Sequence, residues 1–420
     1  MATQEIRQSP GADLGFFYGY IVVIVAFLIM TVMFGVYVAF GVFFNPMLTD
    51  FGWTRAMTSG AFSLSMIMFG LLGIVMGGLN DRVGPQIVLS VCGFLFGLGC
   101  LLMSQISAVW QLYLFYGVII GIGIAGSWVP LVSTVARWFA RRRSTMTGIV
   151  LAGTGVGGLI GPPVANWLIA IYGWRASYFI LGSIVLVVVV LAAQFLRRDP
   201  ARMGQRPYGG KNEAEEQRFN SDTEGFSLKE AVSTRQFWVV CGLEFCFGFC
   251  VYVVIVHIVP HAINLGISVA SAANILAMVG GLTIVGRVVL GSVADRIGNR
   301  QVFIIGFMLM LAAFFWLAPV AVLWMLYLFA VVFGFANGGM GPSESPLVAR
   351  LFGLSFHGLI YGIIVLGFTI GAAIGPLLAG YIFDITGGYQ VAFLVSAAVS
   401  ISGLVLTVVL RPIRGAGVKI

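Results

Sequence analysis

The feature that most constrains this chain is a series of apolar stretches, each roughly 20 residues long, that recurs along nearly its whole length. An α-helix of that length crosses the hydrocarbon core of a bilayer, because each residue adds about 1.5 Å along the axis. Of the 420 residues, 60% are hydrophobic and only 9% are charged, which leaves too little polar surface for a soluble fold of this size. The sequence therefore predicts an all-α membrane protein.

Twelve transmembrane helices are predicted, separated by turn-forming or charged clusters such as Asn45-Pro46, Asp81-Arg82 and Gly387-Gly388. They form two six-helix bundles at 18–196 and 236–411. The polar segment 197–235 between them is typical of a mobile cytosolic linker, and 1–17 and 412–420 are predicted to be cytosolic tails. The predicted helices are 18–44, 54–79, 86–104, 109–137, 144–171, 174–196, 236–264, 269–294, 300–317, 321–349, 357–383 and 389–410.

The distribution of basic residues indicates how the chain is oriented, since short cytosolic loops are enriched in Lys and Arg. With both termini in the cytosol, all but three of the 23 basic residues face the cytosol; Arg55 and Arg175 lie outside and Arg287 lies within a span. We therefore expect a multi-pass protein of the inner, cytoplasmic membrane. The net charge of +8 is then a signal of topology and of contact with anionic lipid, not of nucleic-acid binding.

An internal repeat, with a shift of about 214 residues, relates the two predicted bundles. Parallel repeats of six helices are typical of secondary transporters, whose halves rock about a site near the membrane midplane. Three motifs recur: G-x-x-x-D-R-x-G at 77–84 and 291–298, L-Y-L-F at 112–115 and 326–329, and V-A-R-x-F at 135–139 and 348–352.

The doubled G-x-x-x-D-R-x-G resembles the loop signature of the major facilitator superfamily, although the first copy continues Pro85-Gln86 where the usual ending is basic. Within that superfamily, the stretch 136–143 and the Gly286-Arg287-x-x-x-Gly291 motif are similar to the monocarboxylate transporter and oxalate/formate antiporter group. The resemblance spans nearly the whole chain apart from the tails and the linker. It implies the pseudo-symmetric two-bundle major facilitator fold and a secondary active transporter that is not an enzyme and needs no cofactor.

Arg287 is the principal candidate for substrate binding. It lies eight residues before Asp295, about 12 Å along helix 8 from the cytosolic loop. The repeat-related position in the first half is Gly73, so the positive charge of Arg287 has no structural role that is common to both halves. A guanidinium at this depth costs about 2.5–3.5 kcal/mol on insertion scales, and its planar fork matches a carboxylate. The alternative is a structural arginine that reaches down to the cytosolic headgroups.

The other charges within the spans narrow the class of substrate. No Lys occurs in any predicted span, and helix 11 lacks the second cation that the resembling oxalate carriers use there. One fixed cation balances one carboxylate, so a monocarboxylate such as lactate, pyruvate or formate is favoured over a dicarboxylate. Monocarboxylate carriers often have an acid one turn before the arginine, where this chain has Thr283, and this departs from their proton-coupling scheme. Anion exchange of the oxalate/formate type remains an alternative.

Further polar residues within the spans are candidates to complete the site, and each has a plain packing role as its alternative. The candidates for substrate binding besides Arg287 are Tyr116, His257, Thr283, Tyr37 and Asn337; those for proton coupling are His257, Glu244 and Glu344. His261 and His357 are expected at the membrane interfaces.

The repeated Asp-Arg pairs predict a conformational latch on the cytosolic side, in which charge pairs hold that side closed and break during rocking. The alternative is a pair of helix-terminal ion pairs that only fix topology. The residues concerned are Asp81, Arg82, Asp295 and Arg296.

Other motifs in the chain favour packing over chemistry. The stretch 153–158 satisfies G-x-G-x-x-G, but it lies inside an apolar span, where small residues allow helices to approach closely. We expect no metal site, since Cys246 and Cys250 lack a third sulfur ligand and Ile258 follows His257 where zinc proteases have Glu. An exporter of larger amphipathic compounds and a sensor on a transporter scaffold remain alternatives. The expected partners are a small organic anion, protons and the lipid bilayer, and we expect a monomer.

Overall fold

The computed structural model describes residues 17–53, 55–209, 225–319 and 322–410. Most of the predicted N-terminal tail, positions 210–224 of the predicted linker, and the C-terminal tail lie outside the described residues. Within the described part, 11 helices are long and apolar enough to cross a membrane. One of these, Arg143–Ala193, has 51 residues, which is too long for a single span.

The Arg143–Ala193 helix is two transmembrane spans joined at Gly173. A straight helix of that length would extend for about 77 Å, more than twice the thickness of a bilayer core. Gly173 leaves the helical conformation, with φ 77° and ψ 165°, a left-handed φ that favours glycine. The chain therefore turns back at Gly173. The residues just before and just after the segment lie together, as the hydrogen bond from the Trp138 indole N–H to the carbonyl of Arg197 at 2.8 Å shows. The described part thus contains the twelve predicted spans.

We label the spans α1 to α12 in chain order. Their bounds are Gly19–Val38 with Phe40–Phe51 (α1), Arg55–Val83 (α2), Pro85–Met103 (α3), Val109–Leu112 with the π-helical Tyr113–Ile120, Gly121–Ala125 and Trp128–Trp138 (α4), 143–172 (α5), 174–193 (α6), Arg235–Asn264 (α7), Val269–Ile297 (α8), Asn299–Leu317 (α9), Leu323–Phe352 (α10), His357–Thr386 (α11) and Gln390–Val409 (α12).

Two of the predicted helix breaks are wrong. The helix runs through Asn45-Pro46 to Phe51, because a continued helix still satisfies the other backbone groups in a membrane even where proline lacks an N–H. Asp81-Arg82 lies inside α2, and the chain turns only at Gly84, with φ 92°; Gly298, with φ 103°, does the same after α8. The last glycine of the repeated motif is therefore the residue that ends each helix. The break at Gly387-Gly388 is as predicted, since α11 ends at Thr386.

Glycines bring α5 against α1 so closely that the backbones touch. A Cβ on Gly157 would collide with the carbonyl oxygen of Thr31, and one on Gly161 with that of Gly35. The repeat-related Gly371 of α11 meets the carbonyl of Phe245 on α7 in the same way. The G-x-G-x-x-G stretch is thus a helix-packing surface, and the second bundle has a repeat-related one.

The predicted linker 197–235 contains ordered structure at both of its described ends. Short helices form at Pro200–Met203 and Leu228–Ser233. The backbone of Tyr208 bonds to Trp138 and Arg141, and that of Phe226 bonds to Phe352. These aromatic anchors hold the ends of the segment against the bundles. The end of the molecule at which Asp81 and Asp295 lie is called the basic end below.

Glycine-to-alanine substitutions on α5 test the close packing against α1. Gly161→Ala is expected to lower the thermal unfolding midpoint, since overpacking costs about 1–3 kcal/mol. Gly158→Ala is the matched control: no atom lies within 4 Å of its Cβ position, and alanine favours helix over glycine by about 1 kcal/mol. Differential scanning fluorimetry of the purified variants measures both midpoints. A Gly161→Ala midpoint equal to or above that of Gly158→Ala contradicts the packing described.

Candidate functional site

Arg287 lies on α8 and reaches across the boundary between the two bundles. Its Nη1 donates to the carbonyl of Leu151 and to Oγ1 of Thr154, both at 2.6 Å and both on α5. The guanidinium therefore neither faces lipid nor extends to the headgroups. Close approach of the two helices permits this reach, since a Cβ on Gly148 would collide with the Arg287 carbonyl oxygen.

The rest of the Arg287 guanidinium is available to a ligand. Within the described residues, Nε and Nη2 have no hydrogen-bond partner, and neither is completely shielded from solvent. Two N–H groups on one edge of a planar guanidinium form the fork that binds a carboxylate in two parallel hydrogen bonds. The arrangement is thus competent to anchor one carboxylate between the bundles.

Two buried carboxyl groups on other helices of the second bundle form a chain of charge interactions that begins at Arg287. Glu344 of α10 interacts electrostatically with Arg287 and with Glu244 of α7. The Tyr361 hydroxyl of α11 donates to Oε2 of Glu344 at 2.9 Å. The indole N–H of Trp128, which belongs to the first bundle, donates to the Tyr361 hydroxyl at 3.3 Å. One predicted proton-coupling residue, Glu344, thus interacts electrostatically with the predicted anchor, and a second, Glu244, interacts with Glu344.

Thr283 and Asn337 pair with each other one turn from Arg287. The Asn337 amide donates to Oγ1 of Thr283 at 3.1 Å, and the Thr283 hydroxyl donates to the carbonyl of Val279 at 2.8 Å. The pair therefore joins α8 to α10 on the Arg287 side of the bundle.

Tyr37 and Tyr116 lie together within the first bundle, and each is only 2% exposed. The Tyr116 hydroxyl donates to the carbonyl of Tyr37 at 3.0 Å, and the Tyr37 hydroxyl shares a hydrogen bond with Ser65. Their rings stack on each other and on Phe62. Both hydroxyl groups are thus bonded within the first bundle, and a role for them in substrate binding stays a prediction.

His257 lies apart from the Arg287 cluster, towards the end of α7 opposite the basic end. Its Nε2 donates to the carbonyl of Pro376 at 2.9 Å, so Nδ1 accepts from the Tyr389 hydroxyl at 3.2 Å. That His261 and His357 lie at the membrane interfaces stays a prediction, and their side chains are covered by protein. His261 is buried against Tyr389 and Phe393, and His357 is buried with Nε2 bonded to Ser345, because neighbouring helices cover both.

Asp81 and Asp295 close the basic end by capping helices of the opposite bundle. Asp295 accepts the backbone N–H groups of Ser144 and Thr145 at 2.9 and 2.8 Å, in the first turn of α5. Asp81 accepts those of Gly358 and Leu359, in the first turn of α11. A carboxylate at a helix N-terminus is stabilised by the unpaired N–H groups and the helix dipole. Both contacts follow the same shift of about 214 residues, so these two contacts, which form the predicted latch, have the symmetry of the repeat.

Other residues reinforce this latch, although the neighbouring arginines do not. Arg137 pairs with Asp81 at 2.9 Å and donates to the carbonyl of Leu354 in the second bundle at 2.6 Å. Gly77 and Gly358 meet backbone to backbone beside this ion pair. Arg82 and Arg296 are exposed, and their side chains make no contact across the bundles within the described ranges.

Comparison with known proteins identifies the family. The sequence profile of the Major Facilitator Superfamily matches residues 24–291 and 240–419, which together cover nearly the whole chain. The chain belongs to the Major Facilitator Superfamily. It is therefore a multi-pass membrane transporter and not an enzyme, and its two pseudo-symmetric bundles are those of the major facilitator fold.

Relatives within the superfamily include proteins named monocarboxylate transporters. Monocarboxylate transporter 13 of Rattus norvegicus is 28% identical over 404 residues, covering 92% of this chain and 87% of that protein. Monocarboxylate transporter 12 of the same species is 26% identical, covering 90% and 82%. Among solved structures, the proton:xylose symporter XylE superposes with a TM-score of 0.73 at 15% identity, over 94% of this chain and 96% of that one. The resemblance to the monocarboxylate transporter group is thereby confirmed.

Several residues of the site carry no signal in the sequence of this superfamily member. Tyr361 and Trp128 are ordinary apolar-span residues until the fold brings them together across the bundles. Thr154 stands inside the glycine stretch that indicates packing. Arg137 belongs to the repeated V-A-R-x-F motif, and that recurrence is the one signal that marks it.

Substitution of the capping aspartates tests the latch. Asp295→Asn is expected to favour opening of the basic end roughly fivefold, since a carboxylate at a helix N-terminus contributes about 1 kcal/mol. Nitroxide labels at the exposed Val83 and Ile297 report the separation of α2 and α8 by double electron–electron resonance. Asp384→Asn, exposed on α11 at the far end, is the control. A distance distribution in Asp295→Asn identical to that of the control rules out a latch role for Asp295.

Proposed function

We propose that this transporter moves a small monocarboxylate of the lactate, pyruvate or formate type across the cytoplasmic membrane, coupled to protons. The observation that carries the proposal is the Arg287 guanidinium, held between the bundles with Nε and Nη2 unbonded within the described residues. The names of the relatives support the monocarboxylate class. One cation at this position matches one carboxylate, and α11 holds no Lys or Arg to bind a second.

In the proposed mechanism, the bundles 18–196 and 236–411 rock about the Arg287 site. The caps of Asp81 and Asp295 hold the basic end closed, which we place on the cytosolic side with both termini. Opening this end separates α5 from α8, and Arg287 then loses Leu151 and Thr154 as acceptors. A bound carboxylate keeps the guanidinium paired through Nε and Nη2 after the Nη1 bonds break, so the loaded carrier opens at a smaller cost than the empty one.

Proton coupling fits the charge of the proposed substrate. A monoanion that crosses with one proton moves no net charge, so a pH gradient alone drives it and the membrane potential does not. Glu344, which has a titratable carboxyl, interacts electrostatically with Arg287, and Glu244 interacts with Glu344.

Anion exchange of the oxalate/formate type is the second candidate function. It is favoured by Thr283, whose hydroxyl stands where the resembling proton-coupled carriers have an acid. The absence of a basic residue on α11 opposes a dicarboxylate substrate for such an exchanger. Proton movement during transport separates the two candidates.

Transport by Arg287 variants tests the anchor. Arg287→Ala is expected to reduce uptake of labelled L-lactate, pyruvate and formate by proteoliposomes at least about 30-fold, since a buried charge-assisted pair is worth roughly 2 kcal/mol or more. Arg287→Lys is expected to retain part of the activity, because the charge remains but the planar fork is lost. Uptake is measured over a range of substrate concentrations, and the uptake rate of each variant is divided by that of the wild-type protein.

Lys229→Ala, on the exposed Leu228–Ser233 helix, is the matched control for loss of a positive charge. Undiminished uptake in Arg287→Ala removes the anchor proposal. Preferential uptake of oxalate or succinate by the wild-type protein contradicts the inference from a single cation.

A further inference from the structure

Trp128 is the one partly exposed side chain in the buried part of α4. Between Gly123 and Trp138, a stretch that the structure describes in full, every other residue is buried. The Trp128 indole N–H donates to the Tyr361 hydroxyl of the second bundle at 3.3 Å, so the side chain faces the boundary between the bundles. Because the rest of this stretch is covered by protein, the exposed part of the ring borders the space between the bundles and not the lipid.

Trp128 and Arg287 lie at about the same distance from the latch. Trp128 precedes Arg137, the partner of Asp81, by nine residues of helix, which is about 13 Å. Arg287 precedes Asp295 by eight residues, which is about 12 Å. Both side chains are partly exposed. The first bundle thus presents an aromatic ring, and the second a guanidinium, to the space between them at one level.

The partners of Trp128 hold its ring in place. Tyr361, which accepts the indole N–H, donates to Oε2 of Glu344 at 2.9 Å. His357 stacks on Tyr361 with ring centroids 5.7 Å apart, and its Nε2 is bonded to Ser345. Tyr361 and His357 are both 0% exposed. The indole therefore rests on a fully buried layer of the second bundle and has a fixed orientation.

Two further aromatic rings of the first bundle continue the surface that Trp128 begins. Phe34 of α1 contacts Trp128 edge to face, with ring centroids 5.9 Å apart, and Phe69 of α2 contacts Phe34 in the same way at 6.4 Å. Both phenylalanines are partly exposed. Sites for small organic ligands combine apolar walls with a few polar groups that fix the orientation of the ligand. Here Arg287 is the polar group, and the three rings form an apolar wall.

Trp128 resembles Arg287 in having no equivalent in the other half of the chain. The repeat shift of about 214 residues relates Trp128 to Pro342. Pro342 is buried, and its ring lies 3.3 Å from the position of a Cβ on Gly148 of α5. The indole therefore has no structural role that is common to both halves, and a bulky ring borders the space from the first bundle alone.

We propose that Trp128 determines which carboxylates the site accepts, because its ring limits the length of the carbon chain of the substrate. The inference rests on Arg287 as the proposed anchor. A carboxylate that binds the guanidinium extends its chain into the space that the ring borders. Lactate, pyruvate and formate have short chains, whereas a longer chain meets an indole that cannot move aside. Tyr361, which holds the indole, is then a positioning residue.

Competition for uptake by proteoliposomes containing the full chain tests this assignment. Labelled pyruvate is the transported substrate, and unlabelled α-ketobutyrate, α-ketocaproate and phenylpyruvate compete with it. These α-keto acids are ionised at neutral pH, so they cross the lipid itself only slowly. The measured quantity is the inhibition constant of each longer acid divided by that of unlabelled pyruvate. This ratio does not depend on the folded fraction of a variant, so a loss of stability alone leaves it unchanged.

Trp128→Ala is expected to lower the ratio for α-ketocaproate at least about tenfold, since one methylene group admitted to an apolar pocket changes discrimination by about that factor or more. Trp128→Phe has a smaller ring and is expected to lower the ratio by a smaller factor. Tyr361→Phe keeps the indole but removes its acceptor, so the ratio is expected to fall in part. Trp110→Ala, 62% exposed near the other end of α4, is the matched control and is expected to leave the ratio unchanged.

A ratio in Trp128→Ala equal to that of the wild-type protein overturns the assignment, and so does a wild-type protein that accepts α-ketocaproate as readily as pyruvate. If Trp128→Ala shows no uptake, the ratio in Trp128→Phe decides by the same criterion. The anchor fails by a different measurement, which is undiminished uptake of pyruvate in Arg287→Ala. A result against Trp128 is therefore distinguishable from a result against the proposed function.

Discussion

A polar or charged group inside a membrane must find a partner, and in this protein the partners lie across the boundary between the bundles. Lipid tails are as apolar as the helices, so burial of apolar surface does little to hold two bundles together in a bilayer. Arg287 bonds to α5, Asp295 caps α5, and Asp81 caps α11. Each bundle thus completes the hydrogen bonding of the other, and these polar contacts decide which arrangement of the two is stable.

Some contacts in the structure follow the internal repeat and occur once in each half, whereas others occur in one half alone. The aspartate caps obey the repeat, because closing one end of a two-fold assembly requires the same contact twice. The Arg287 cluster does not obey it, since the repeat-related position is Gly73. The contacts that follow the repeat are thus those at the end that is proposed to open and close. The Arg287 cluster, which departs from the repeat, is where a substrate is proposed to bind.

Much of the fold was predictable because hydropathy, basic loops and a repeat are properties of the linear sequence. Helix ends were less so: Pro46 lies inside a helix because the membrane penalises an open backbone more than a missing bond. Arg287 was visible as a charge in an apolar span, whereas the hydrogen bonds that join Trp128, Tyr361 and Glu344 arise only through tertiary packing. Tyr37 and Tyr116 looked like free donors, yet their hydroxyls are used within their own bundle.

The glycine contacts between the bundles have a mechanical consequence. Gly77 meets Gly358, and Gly148 meets the backbone of Arg287, so bare main chain faces main chain at these two places on the seam. Interlocked side chains would have to withdraw from one another and repack each time the seam parted. Smooth surfaces of this kind come apart and rejoin without such rearrangement. In the proposed transport cycle, the barrier at these places then depends on a few exchangeable hydrogen bonds, which the binding of a single carboxylate is large enough to alter.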